Sequence, residues 1–167
     1  MKLTVAASAL ALVTLCSEAS AQSKSLKDRL LGTWHFVIAE VTAPDGQKSF
    51  PFGPKPRGIL IFAPEGDFAQ IHIAGEVPKI ASGNRLAATP EEYAGIMRGT
   101  IAQFGTYTVD EAKQTFTMKF TASTYPNWEG TLQTRSVDKL TDDELINTNP
   151  QVGAGRGSAY NLYRRAR

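Results

Sequence analysis

The chain has 167 residues and a formal net charge of +2, with 18 lysines and arginines against 16 acids. Its basic residues are dispersed until Arg164, Arg165 and Arg167, so it lacks the concentrated basic face of a nucleic-acid binder, and no nucleic-acid partner is expected. One cysteine, Cys16, and two histidines, His35 and His72, are poor material for a zinc centre, and no metal or cofactor is expected.

Residues 1–21 read as a secretory signal peptide. Lys2 supplies the positive charge, an apolar run covers residues 3–15, and Ala19-Ser20-Ala21 forms a small-x-small cleavage site. The run falls short of the roughly 20 apolar residues of a transmembrane helix, so no membrane span is expected in the mature chain. Leu15 stands before Cys16 where a lipidation signal wants a small residue. Cleavage after Ala21 leaves residues 22–167 as one cysteine-free domain, expected in the periplasm or secreted.

The mature chain opens with an amphipathic turn, residues 26–31, then Gly32-Thr33-Trp34 and a strand over 35–41. A helical turn, a glycine that redirects the backbone and a tryptophan heading a long strand suit the start of a closed barrel plugged at one end. Ala43-Pro44-Asp45-Gly46 is a turn, residues 47–50 a short strand, and 52–56 a loop stiffened by two prolines. Strands over 57–62 and 68–73 flank the turn at 64–67. The pattern then dissolves into Gly, Pro, Ser and Asn over 74–88.

Thr89-Pro90-Glu91-Glu92 marks a helix start, and Tyr93, Ile96, Met97 and Ile101 share one face, so this helix is expected to pack on apolar surface. Strands follow over 103–109 and 114–122, the second alternating Phe116, Met118 and Phe120 with polar neighbours. Residues 125–130 form a loop. Strands over 131–137, 144–148 and 158–165 complete the chain, the last preceded by the glycine-rich stretch 153–157. About eight strands with one inserted short helix, and no helices between successive strands, predict an all-β, antiparallel up-and-down barrel.

Leu30-Leu31-Gly32-Thr33-Trp34, the run from Gly53 through Gly58 to Gly66, and Phe104-Gly105-Thr106-Tyr107-Thr108-Val109 resemble the bacterial lipocalin-like domain family of the calycin group. Ser123 through Gly130 and Arg135 continue in that family's order. The resemblance implies a barrel enclosing a small molecule, and favours inward positions for Tyr107 and Arg135. It also implies that a C-terminal arginine, Arg165 or else Arg164, packs over Trp34, giving Gly32, Trp34 and Arg165 structural roles.

Ser136-x-x-Lys139 matches a catalytic motif by letters, but it ends a strand rather than opening a helical turn, and the glycine run at 153–157 lacks the strand–helix context of a nucleotide loop. What remains is a set of polar residues within strands: Gln70, His72, Tyr107, Arg135 and Asn147. Parity alone leaves open whether they face inward or outward, because one bulge reverses every assignment. Three readings follow. In the first, the protein binds a small hydrophobic molecule in an apolar cup lined by Phe36, Ile38, Leu60, Phe62, Phe68, Met118 and Phe120, with the polar set orienting it. In the second, the barrel is an isomerase- or cyclase-type enzyme, with His72 or Tyr107 as acid/base and Arg135 stabilising an oxyanion. In the third, the barrel is solid and serves as an envelope interaction module. The first is preferred, and with it a non-enzymatic role.

Overall fold

The computed structural model describes residues 24–152 and 157–167. The expected signal peptide and its cleavage site lie outside the described residues, as does most of the glycine-rich stretch at 153–157.

Helix α1, Leu26–Leu30, is capped by Ser25, whose hydroxyl accepts from the Asp28 amide, and it buries Leu26 and Leu30. The Glu111 carboxylate accepts from the Leu26 and Lys27 amides at 2.8 and 3.0 Å, tying the free amides of the helix start to the turn at 111–114. Gly32 then takes φ +108°, a conformation that strains any residue with a Cβ. This sharp redirection seats Trp34, fully buried, beneath the helix, where its indole N–H donates to the Leu30 carbonyl at 2.7 Å.

Nine strands form one antiparallel sheet: β1 Gly32–Thr42, β2 Lys48–Ser49, β3 Arg57–Phe62, β4 Asp67–Ile73, β5 Thr100–Asp110, β6 Thr115–Ser123, β7 Leu132–Leu140, β8 Glu144–Asn149 and β9 Ser158–Arg165. From β3 onward each strand pairs with the next. β1 pairs with β3 on one edge and with β9 on the other, so eight strands close into an up-and-down barrel and the short β2 adds a flap beside the end of β1. Closure leaves the eight main strands without long free edges. The described residues contain no helix long and apolar enough to cross a membrane.

The closing register sets Trp34 opposite Arg165 and Phe36 opposite Tyr163, and then shifts between Phe36 and Ile38. This bulge changes the parity of β1. Beyond it Ala39 takes the buried position opposite Asn161, while Ile38, opposite Leu162, is only half-buried. The expectation that Ile38 lines the interior is therefore corrected: one extra residue turns it away.

A second correction concerns helix α2, Pro90–Gly99. Its start has the anticipated capping box between Thr89 and Glu92, but Ile101 belongs to β5, and Tyr93 and Met97 remain exposed. The helix is held by its own loop instead of by the barrel. Glu92 accepts from the Ala81 amide, the Tyr93 hydroxyl donates to the Arg85 carbonyl, and Gly95 and Gly99 lie against Pro78 and Val77.

Candidate functional site

The barrel has a closed end, covered by α1, and an open mouth ringed by the loops at 50–56, 74–89 and 124–131 and by residues 150–152. Inward positions change character along the same strands. On β4 they read Phe68, Gln70, His72 towards the mouth, and on β9 they read Tyr163, Asn161, Ala159. Pleating carries each series down one inner face.

The lower half is solid. Trp34, Leu60, Phe62, Phe68, Phe116, Met118, Phe120, Leu145 and Tyr163 are all at most 3% exposed and form one cluster. Phe62 meets Tyr107 and Phe116 edge-on, with ring centres 4.8 and 5.2 Å apart. Leu60, Phe62, Phe68, Met118 and Phe120, expected as cavity walls, are therefore core: the aromatic rings are large enough to fill a narrow barrel from both sides.

Above this floor lies a cavity of about 180 Å³. Its polar lining comes from Gln70, His72, Gln103, Gln133, Arg135, Asn149 and Asn161, and its apolar rim includes Val41, Phe52, Ile101, Trp128 and Val152. Larger concavities of about 520 and 390 Å³ lie on the outer wall beside the exposed Phe104. They are open grooves whose lining includes no buried charge. The mouth cavity, though smaller, is where the chemistry is concentrated.

Gln70 is the hub. Its carboxamide oxygen accepts from Gln103 Nε2 at 2.6 Å and faces Arg135 Nη2 at 3.4 Å, while its nitrogen lies 3.0 Å from His72 Nε2 and 2.9 Å from the Tyr163 hydroxyl. The Tyr163 hydroxyl is also 2.9 Å from His72 Nε2. With the Gln70 amide donating, His72 Nε2 acts as an acceptor, which makes His72 the neutral tautomer protonated on Nδ1. Its ring stacks on Phe36, centres 3.7 Å apart. Burial, and the nearby Arg135 charge, lower the His72 pKa to about 3. Burial also pushes the Tyr163 hydroxyl up to about 12, so it remains protonated.

Arg135 is 5% exposed, and its Nε and Nη1 have no hydrogen-bond partner; Gln103 Oε1 and Asn147 Nδ2 are likewise unpartnered. Burial draws the guanidinium pKa down, with the adjacent Tyr163 oxygen offsetting part of the effect. From so high a starting value the group stays cationic. Among the described residues, no carboxylate lines the cavity and none of the ion pairs involves Arg135. Nor do the described residues include a cluster of three or more metal-ligating side chains.

The structure thus brings Gln70, His72 and Arg135 together and stacks Phe36 against His72. Asn147 sits just below, its oxygen facing Asn161 Nδ2 at 3.4 Å. Tyr107 is elsewhere. It pairs with Met118 near the closed end and donates to the Ala63 carbonyl at 3.0 Å. His72 pairs with Ile101, six residues away on β5, a separation of roughly 20 Å at ~3.4 Å per residue. The trio His72, Tyr107 and Arg135 expected of an enzyme does not assemble, and Tyr163 occupies the place beside His72. Sequence reasoning missed Tyr163, Gln103, Gln133, Asn149 and Asn161. The available signal was the alternation of Asn161 and Tyr163 on one strand, in phase with Arg165.

At the closed end, Arg165 spreads over Trp34, its guanidinium carbon 4.0 Å from the ring centre, and donates to the carbonyls of Leu31, Arg29 and Asp142 at 2.8, 2.6 and 2.6 Å. It locks α1 over the barrel.

An eight-stranded antiparallel barrel, sealed below by a glycine–tryptophan–arginine lock and hollow above, defines a lipocalin-like architecture. The chain belongs to the lipocalin-like domain family, whose model matches residues 31–160. No curated protein sequence matches it. Among solved structures, it is similar to a de novo designed fluorescence-activating β-barrel at 13% identity, covering 86% of this chain and 99% of that one, with a TM-score of 0.45. It is also similar to a deswapped triple mutant of bovine odorant-binding protein at 15% identity, covering 83% and 74%, with a TM-score of 0.43.

Proposed function

We propose that this protein is a non-enzymatic binder of a small molecule held in the mouth of its barrel, acting in the periplasm or as a secreted protein. The observation that carries the reading is the 180 Å³ cavity, walled by buried polar side chains with unspent hydrogen-bonding capacity above a filled floor. Unpartnered burial costs ~1–3 kcal/mol per group in protein mutational data, a cost with no structural return unless a ligand satisfies the groups. The volume suits a compact guest, since ~150 Å³ suffices for benzene. A polar head reaches the amides, and an apolar body contacts Phe52, Ile101 and Trp128 at the rim. The neutral His72, with Nε2 already engaged, is poorly suited to general base catalysis at neutral pH. The export assignment rests on the character of residues 1–21.

Native mass spectrometry of the protein purified from its own envelope or culture fraction tests the reading. The expected result is a non-covalent adduct on a chain beginning at Gln22, lost in the cavity-filling variant Ala159→Phe. An apo mass throughout, with no small molecule raising the melting temperature, would overturn it.

A further inference from the structure

The unpaired cation in the cavity narrows the class of ligand. Resting on the reading just given, we infer that the natural guest is an organic monocarboxylate whose charged end is recognised by Arg135 and whose apolar body, aromatic or short aliphatic, is gripped by Phe52, Ile101 and Trp128. A buried guanidinium is costly unless paired, and the ordinary partners are absent: no described carboxylate lines the cavity, and the neighbours Arg135 has, the Gln70 carboxamide at 3.4 Å and the protonated Tyr163 hydroxyl, are neutral. An anionic guest supplies the missing counter-charge in a setting where little water screens it. The rest of the lining sets the charge at one. Gln70, Gln103 and Asn161 are neutral amides, and a single guanidinium balances a carboxylate but not a phosphate monoester of about −1.5 to −2. A cationic guest is repelled by the same group.

Calorimetric titration of wild-type protein at neutral pH with benzoate, benzamide, benzylamine and phenyl phosphate, and with hexanoate and hexanamide as the aliphatic pair, tests the inference. In at least one pair the acid is expected to bind roughly tenfold or more tighter than its amide. Benzylamine is expected not to bind. Arg135→Gln removes the preference for the acid, and Arg135→Lys, which keeps the charge, retains part of it. Ligand-free Arg135→Gln is expected to melt at a higher temperature than wild type, because an uncompensated charge has been replaced by a neutral amide; an arginine placed for structure would lower it. Amides binding as tightly as acids would overturn the carboxylate assignment and leave the small-molecule reading standing, and so would a preference for phenyl phosphate or benzylamine. If none of the six binds, the carboxylate assignment falls, and the native-mass measurement alone decides the small-molecule reading. The wild-type comparison decides the matter even if a variant fails to fold.

Discussion

The two ends of the barrel each contain a cation and an aromatic ring, and they use them in opposite ways. At the closed end Arg165 lies over Trp34 and donates to three backbone carbonyls, so its charge is spent on holding α1 in place. At the mouth Arg135 is more deeply buried, yet two of its nitrogens have no partner. A satisfied arginine stabilises the fold, whereas an unsatisfied one costs stability and is explained by what it meets when a guest arrives. The aromatics divide in the same way: Phe62, Phe116 and Tyr107 fill their end, while Phe52 and Trp128 ring a space at the other. One barrel combines a sealed lower half with a receptive upper one.

The largest effect that would break this contrast is at the closed end. Trp34→Ala removes a fully buried ring and is expected to cost ~3–5 kcal/mol of unfolding free energy, measured by chemical denaturation. A cost below ~1 kcal/mol would mean that the lock contributes little to the fold.

The next effect belongs to the mouth. The folded-state pKa of His72 is about 3, below the ordinary value of 6.5, so the unfolded chain binds the proton more readily. The stability conferred by keeping this ring neutral is present above pH ~6.5 and is lost as pH falls towards 3. Between pH 7 and 5 the loss is about 2 kcal/mol, and His72→Phe is expected to flatten the profile in that window. Further down, Glu144, held below the usual carboxylate range by Lys139 and Arg164, adds its own loss as it protonates. A wild-type profile that is flat from pH 7 to 5 would place His72 in a wetter site than the one described.

The smallest test compares the arginines directly. Arg165→Met is expected to destabilise the ligand-free protein by about 1–2 kcal/mol through lost charge-assisted hydrogen bonds, whereas Arg135→Met is expected to stabilise it by about 1 kcal/mol or more. Thermal unfolding of the two variants beside wild type checks this. Shifts of the same sign would erase the distinction between the two ends.

Much of the architecture was legible in the sequence because it depends on local rules. The period-two run Phe116, Met118, Phe120 marks a half-buried strand wherever it sits, Thr89-Pro90-Glu91-Glu92 caps a helix by short-range hydrogen bonding, and Gly32 permits a positive φ that few other residues tolerate. The polar residues Gln70, His72 and Arg135 were also visible as strand positions that a purely apolar interior would not use. Other features depended on distance and volume. The bulge after Phe36 turned Ile38 away from the interior, and antiparallel pairing carried Tyr107 to the end opposite His72. Closure of β1 on β9 then brought Tyr163, which lies 91 residues from His72 in sequence, to within 2.9 Å of it. Ring size made the apolar cup a solid floor. By itself, then, the sequence determined the elements, their order and the barrel family, since these follow from periodicity, capping and turn chemistry. The tertiary structure alone decided which end is hollow, which polar groups share it and which arginine lacks a partner, because register, bulges and packing volume come into being only when the sheet closes.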